Sequence, residues 1–324
     1  MKALIFAFLL ASSAPATAAV QQSAATQLAP GAWVVLEIRS ERREPDGNSV
    51  IFESPAGLIV VDTGRHAWHR DALLSLAVAR RRPIVAVINS HWHLDHDSGN
   101  PFLRESYPHL TVYASSAIDE ALRGFLADSL RKAPTYLADA SLPAETREDI
   151  AADRLTILNG AALKPDVVVA SSKSMRIGGR VLRVNLARRA ATAGDVWVIE
   201  PKSGVAALGD LVTLPVPYFE TACPAGWSKA LRTVTETRFK TAIPGHGPAL
   251  SPAEVLQYRM AFDGFLRCAE SSASAAQCAA EWSEAVQSLL SNGGYSPARA
   301  KDLAAYYVGL LRDSSYQKRY CELG

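Results

Sequence analysis

The hexapeptide His91-Trp92-His93-Leu94-Asp95-His96 packs three imidazoles and a carboxylate into six residues. Imidazole nitrogen suits zinc and related divalent ions, and a carboxylate adds an oxygen ligand of suitable hardness. The run follows the apolar stretch Ile84-Val-Ala-Val-Ile88 and the polar pair Asn89-Ser90, so it emerges where a strand ends. Four such groups beside a buried strand would be costly to desolvate without a cation or water to compensate them. In an extended chain alternate residues share a side. That predicts convergence of His91, His93 and Asp95, with His96 turned the other way.

The elements that must position this string are legible as periodic apolar runs. Trp33 to Arg39 and Ser49 to Glu53 read as paired strands across the polar turn Pro45-Asp46-Gly47-Asn48, after a mobile lead-in over 20–31. Leu58 to Asp62 is a buried strand, a helix follows over Ala72 to Arg80, and Leu110 to Ala114 is a further strand. Helical stretches fill much of 116–158. Strand patterning resumes at Val167–Ala170, Met175–Ile177, Val181–Val184, Val196–Ile199 and Gly204–Leu208. Many short strands with few interposed helices predict two sheets flanked by helices, an α/β fold without a regular βαβ array. From Ser251 the texture changes: Ser251-Pro-Ala-Glu254 is a capping box with Pro at the first helical position, and 251–324 reads as roughly three helices.

The H-x-H-x-D-H string resembles that of the metallo-β-lactamase-fold superfamily of metallohydrolases. Other landmarks fall in the same order: Asn48 opening a strand, Asp62-Thr63-Gly64 closing one, Gly209-Asp210 after a strand, and Gly245-His246-Gly247. The likeness spans roughly residues 32–250 and leaves the helical tail outside. It implies a four-layer αββα sandwich with a mono- or dinuclear site, usually zinc, at one edge of the sheets. By the same resemblance His91 and His93 look like ligands of a first metal, and Asp95, His96 and His246 like ligands of a second. Asp210 matches a bridging carboxylate found in the glyoxalase-like branches. Asp62 resembles a carboxylate that steadies the metal-binding loop from behind. The implied activity is hydrolysis: zinc lowers the pKa of bound water towards ~7, giving hydroxide that attacks an ester, lactone, amide or related bond. Asp95 would orient it.

One position departs from the resemblance. The family's third first-site histidine lies in a string like H-T-x-G-D, and here the matching string is Ala191-Thr192-Ala193-Gly194-Asp195. No histidine lies between His109 and His246. A bridging Asp210 would still leave the first metal three protein ligands, so one tight and one weak or absent metal is expected. His66 and His69 follow Asp62-Thr63-Gly64 and could supply a ligand or line the pocket; the plainer reading makes them polar residues starting a surface helix. Leu214 to Trp227 could wall the pocket with Tyr218, or simply cover a sheet edge. The alternative functional reading is a catalytically weak relative that binds a metal or small ligand.

Residues 1–19 read as a secretory signal peptide, with Lys2, the apolar run Ala3 to Ala11 and the A-x-A-like end Ala16-Thr17-Ala18-Ala19. That divides the chain into 1–19, a hydrolase domain over 20–250 and a helical extension over 251–324, secreted or periplasmic. Four cysteines in an oxidising compartment permit two disulfides among Cys223, Cys268, Cys278 and Cys321, in any of three pairings. Hydrophobic residues at 48% and charged ones at 20% argue against disorder. Thirty-four Lys+Arg against 32 Asp+Glu give no electrostatic reason to expect nucleic acid. After the first residues no apolar run reaches the ~18–20 needed for a membrane anchor. The partner expected is a small-molecule substrate.

Overall fold

The computed structural model describes residues 24–40 and 42–322, so the signal-peptide reading of residues 1–19 lies outside the described residues. Among them, twelve strands form two sheets. The first contains β1 (Thr26–Ala29), β2 (Ala32–Val35), β3 (Ser49–Ser54), β4 (Gly57–Val61), β5 (Ile84–Ile88), β6 (Thr111–Ala114) and β7 (Val167–Val168), side by side in that order. The second contains β8 (Lys173–Ile177), β9 (Arg180–Arg188), β10 (Gly194–Glu200), β11 (Val205–Thr213) and β12 (Thr241–His246), also in chain order. β1 to β4 pair antiparallel and β4 to β7 parallel. In the second sheet only β11 and β12 run parallel.

The sheets face each other through alternate residues of their strands. Val50, Phe52, Ile59, Val61, Ala86 and Ile88 from the first meet Leu182, Val184, Val196, Val198, Ala207 and Ile243 from the second. The opposite face of β4 and β5, with Leu58, Val60 and Val87, packs on Leu73, Leu76 and Ala77 of helix Ala67–Arg80. Residues buried on both faces explain why β4 reads as an unbroken apolar run rather than an alternating one. The outer face of the second sheet is covered by helices Pro224–Glu236 and Pro252–Glu270, through Trp197, Leu208, Trp227, Leu231, Val255 and Phe262. The layers are therefore helix, sheet, sheet, helix. This is an αββα sandwich with a C-terminal helical region.

Several expectations need correction. The stretch read as a mobile lead-in contains β1, which pairs with β2. The strand begun at Trp33 stops at Val35 rather than Arg39, because the Glu37 N–H leaves the ladder and donates to Asn48 Oδ1 at 2.8 Å. Beyond Ser251 the chain makes helices Pro252–Glu270, Ala275–Ala285, Gln287–Gly293, Pro297–Leu311 and Ser314–Gln317, more pieces than the three expected. The Ser251–Glu254 capping box is formed, and Ser296 caps its helix. β12 and helix Pro224–Glu236 went unread in the sequence. The helices after Ser251 share one continuous apolar cluster with Trp197, Leu208 and Phe219. Disulfides pair Cys223 with Cys321 and Cys268 with Cys278, choosing among the three connectivities left open. No described helix is long and apolar enough to cross a membrane.

Candidate metal centre

The C-terminal ends of β4, β5 and β12 meet the middle of β11, and the polar cluster gathers there. β4 delivers Asp62, the segment after β5 delivers His91 to His96, β11 carries Asp210 and β12 ends at His246. The β11–β12 ladder is irregular on either side of Gly209, which re-aims Asp210 out of the pleat. Gly209 itself has φ +53°, and a Cβ there would lie 2.4 Å from that of Ser90. Asn48 ties the two sheets together at this edge, its amide donating to the carbonyls of Pro244 (3.0 Å) and Gly247 (2.8 Å).

The strand ends at Ile88, the chain bends over Ser90 to Trp92, and Leu94–Asp97 forms a helical turn. The expected alternation therefore fails. His96 does not turn away; it swings back beside Asp95 and becomes the most connected member of the group.

Asp210 divides its oxygens between two sets of imidazoles. Oδ2 lies 3.6 Å from His91 Nε2 and 3.8 Å from His93 Nδ1. Oδ1 lies 3.2 Å from His96 Nε2 and 3.7 Å from His246 Nε2. Asp95 Oδ2 completes the second set, 3.5 Å from His96 Nε2 and 2.9 Å from His246 Nε2. Ligand atoms on a tetrahedral zinc with bonds of about 2.1 Å sit about 3.4 Å apart, so these separations fit a shared cation. Two triads have all their ligand atoms within 4.8 Å of one another: His91, His96 and Asp210, and Asp95, His96 and His246. His93 belongs to neither and approaches the cluster through Asp210.

Each imidazole is oriented from behind. His91 Nδ1 meets Ser90 Oγ at 2.8 Å, His96 Nδ1 meets Asp62 Oδ2 at 2.9 Å, and His246 Nδ1 meets Glu37 Oε2 at 3.0 Å. His93 Nε2 meets Thr221 Oγ1 at 2.9 Å. Asp62 also accepts the Ser90 N–H (2.6 Å) and hydroxyl (2.7 Å), and it holds φ 62°, a region costly for a residue with a Cβ. Partners of this kind fix the tautomer and direction of a metal-ligating histidine.

His91 Nε2, His96 Nε2 and Asp210 Oδ1 are buried and make no hydrogen bond. Three orphaned polar atoms facing one another would be destabilising unless a cation joined them. The proton distribution points the same way. Burial opposes charge on His96, yet Asp95, Asp210 and Asp62 outweigh it and hold its pKa well above the ordinary value. Against the same burial penalty, His246 is raised to about 10, chiefly by Asp210 and by its hydrogen bonds to Asp95 and Glu37. His91 is driven well down by burial and by the neighbouring imidazoles. Protons on His96 and His246 thus stand in for positive charge that a divalent ion would bring, and metal binding would release them.

The Ala191 position is closed. Ala191 is buried in the core behind the second sheet, and its carbonyl accepts from Thr221 Oγ1 at 3.0 Å. The surrounding turn keeps its shape: Asp195 accepts from the Thr192 N–H (3.0 Å) and hydroxyl (3.0 Å), and burial pushes its carboxyl up to about 7 despite those bonds. His66 and His69 do not fill the gap. His66 lies between Asp46 (2.9 Å) and Asp149 (3.2 Å), and His69 Nε2 bonds to Ser49 Oγ at 2.7 Å. Tyr218 does reach the site, its ring edge-on to His93 with centroids 5.3 Å apart. A cavity of about 740 Å³ between helices Pro252–Glu270 and Ala275–Ala285 contains none of these side chains.

The profile of the "Metallo-beta-lactamase superfamily" matches residues 42–250, well over half of the chain. The chain belongs to that superfamily. Its solved structures include a metallo-β-lactamase from Pontibacter korlensis, 18% identical over 75% of this chain and 99% of that one, with a TM-score of 0.54. A double mutant of the sec-alkyl sulfatase PisA1 gives a TM-score of 0.59 at 18% identity, covering 80% of this chain but only 45% of the sulfatase. The DIM-1 metallo-β-lactamase exposed to ceftazidime is 15% identical over 75% of this chain and 97% of its own, with a TM-score of 0.54. At such identities these likenesses establish fold alone. No curated protein matches the sequence. Superfamily membership supports metal-dependent hydrolysis as the general activity.

Sequence reasoning missed Glu37, Ser90 and Thr221. Ser90 could have been suspected from its place beside His91. Glu37 and Thr221 carried no local signal, because they meet their histidines across 209 and 128 residues.

Proposed function

We propose that this chain is an exported metal-dependent hydrolase acting on an ester, lactone, amide or related bond of a small molecule. The observation that carries the reading is the split of the two Asp210 oxygens between two sets of imidazoles, with orphaned buried atoms on both sides. Asp95, His96, His246 and Asp210 Oδ1 would hold one divalent ion tightly. His91, His93 and Asp210 Oδ2 would hold a second weakly, since Ala191 contributes no imidazole. When bound, the ion supplies Lewis acidity and generates hydrolytic water at neutral pH. Asp95 would orient the attacking water, Asp62 holds His96 in place, and the Tyr218 ring walls the His93 side. Zinc suits the nitrogen-rich donor set. Export is supported by the N-terminal sequence and by two disulfides.

Protein purified without added zinc should retain one equivalent by elemental analysis, and His96→Ala or His246→Ala should remove it together with activity. Two full equivalents would overturn the weak-site assignment. The second reading, a catalytically weak binder, is favoured by the closed Ala191 position. Zinc-loaded protein inert towards cephalosporin, aryl ester, lactone, phosphodiester and sulfate substrates would select it over the hydrolase.

A further inference from the structure

We propose that Thr221 is a positioning residue that, anchored on the Ala191 carbonyl, fixes the tautomer of His93 at the first metal position. The inference rests on the metal reading above and adds a residue from outside the superfamily's ligand string.

The argument is one of donors and acceptors. The Thr221 hydroxyl has a single proton and lies between two partners, the Ala191 carbonyl at 3.0 Å and His93 Nε2 at 2.9 Å. A carbonyl can only accept, so the hydroxyl proton goes to Ala191 and a lone pair of Oγ1 faces His93. His93 Nε2 must then carry its proton, which leaves Nδ1 as a free lone pair. That nitrogen is the one directed at Asp210 Oδ2, 3.8 Å away. Thr221 is buried, so water does not compete for these bonds. The opposite tautomer would place two lone pairs against each other at 2.9 Å and put a proton where a metal must bind.

Thr221 is itself held from both directions. Cys223, two residues on, donates its N–H to the Ala190 carbonyl at 2.9 Å and is bridged to Cys321. The Tyr316 hydroxyl donates to the Ala222 carbonyl at 2.7 Å. The hydroxyl is thus presented by a segment pinned to the turn between β9 and β10 and to the C-terminal tail.

The test compares the full-length wild type with Thr221→Val, which keeps shape and removes the hydroxyl, and Thr221→Ser, which restores it. Two-bond proton–nitrogen correlation spectra of the chelator-treated protein read the His93 tautomer without any metal. The wild type and Thr221→Ser should show the proton on Nε2, and Thr221→Val should show a substantial Nδ1–H population. Zinc titration should then show the weaker site loosened by about 10- to 100-fold in Thr221→Val and recovered in Thr221→Ser. An Nδ1–H tautomer in the wild type, or a Thr221→Val spectrum identical to the wild type, overturns the assignment. If the tautomers behave as stated but the wild type takes up no zinc, the metal reading fails and the positioning of His93 stands.

Discussion

Glu37 Oε2 lies 3.0 Å from Nδ1 of His246, joining the chain just after β2 to the last residue of β12. The other carboxylate oxygen accepts the hydroxyl of Tyr295, and the Arg39 guanidinium stands 3.6 Å away. The carboxylate therefore holds a proton on His246 Nδ1 and leaves Nε2 to face Asp95 and Asp210. Tyr295 belongs to the helical tail, so the tail helps to aim one imidazole of the cluster.

Glu37→Gln keeps the shape but offers His246 an amide in place of a charge. Metal affinity should fall by about 10- to 100-fold with little change in unfolding midpoint. Competition against a chromogenic chelator measures it, and an unchanged affinity would remove Glu37 from the machinery.

Gly245 sits against the cluster so closely that a Cβ there would lie 1.9 Å from Asp210 Oδ1 and 2.9 Å from the backbone of β11. Gly245→Ala should destabilise the fold by about 1–3 kcal/mol and strip the metal, because Asp210 must be displaced. Gly264, inside helix Pro252–Glu270, is the matched control: its Cβ would meet only the end of Arg267, at 3.7 Å. Gly264→Ala should stabilise by about 0.5–1 kcal/mol. Denaturant titration of both variants against the wild type decides the point.

His66 gives the stability a pH dependence of its own. Burial lowers its pKa, but the hydrogen bonds to Asp149 and Asp46 prevail and raise it above 6.5. Asp46, similarly, is held at about 2 by His66 against a burial penalty. The histidine's contribution is complete below pH 6.5 and lost as pH climbs through its raised folded value; that of Asp46 is complete above 3.8 and lost as pH falls towards 2. His66→Gln should therefore flatten the decline in urea midpoint above pH 6.5. An unaltered slope there would assign the effect to other groups.

The two disulfides should differ in worth. Cys268 and Cys278 close a loop of 10 residues, Cys223 and Cys321 one of 98. Chain entropy assigns the longer loop about 4–5 kcal/mol and the shorter about 2–3 kcal/mol. Paired Cys→Ser variants compared by equilibrium unfolding should keep that order.

The His-rich hexapeptide and the β4 and β5 runs were legible because their signal is local: residue type at fixed spacing. Asp62, Asp210 and His246 were reachable only through the order of landmarks, since nothing near them in sequence says what they face. The extended reading of residues 91–96 failed because a four-residue helical turn leaves no periodic trace. The surroundings of His66 were illegible for a related reason: its partners Asp46 and Asp149 lie 20 and 83 positions away, and only folding brings them around it. Cysteine pairing, likewise, is a property of distance in space.

The bond from Cys223 to Cys321 also has a meaning for how the molecule is made and broken. A ribosome delivers the chain amino end first, so the segment presenting Thr221 and Tyr218 waits for a cysteine 98 residues further on before it can be fastened. A protease cutting anywhere between the two cysteines would leave the pieces joined, running as one band on a gel until a reductant parts them.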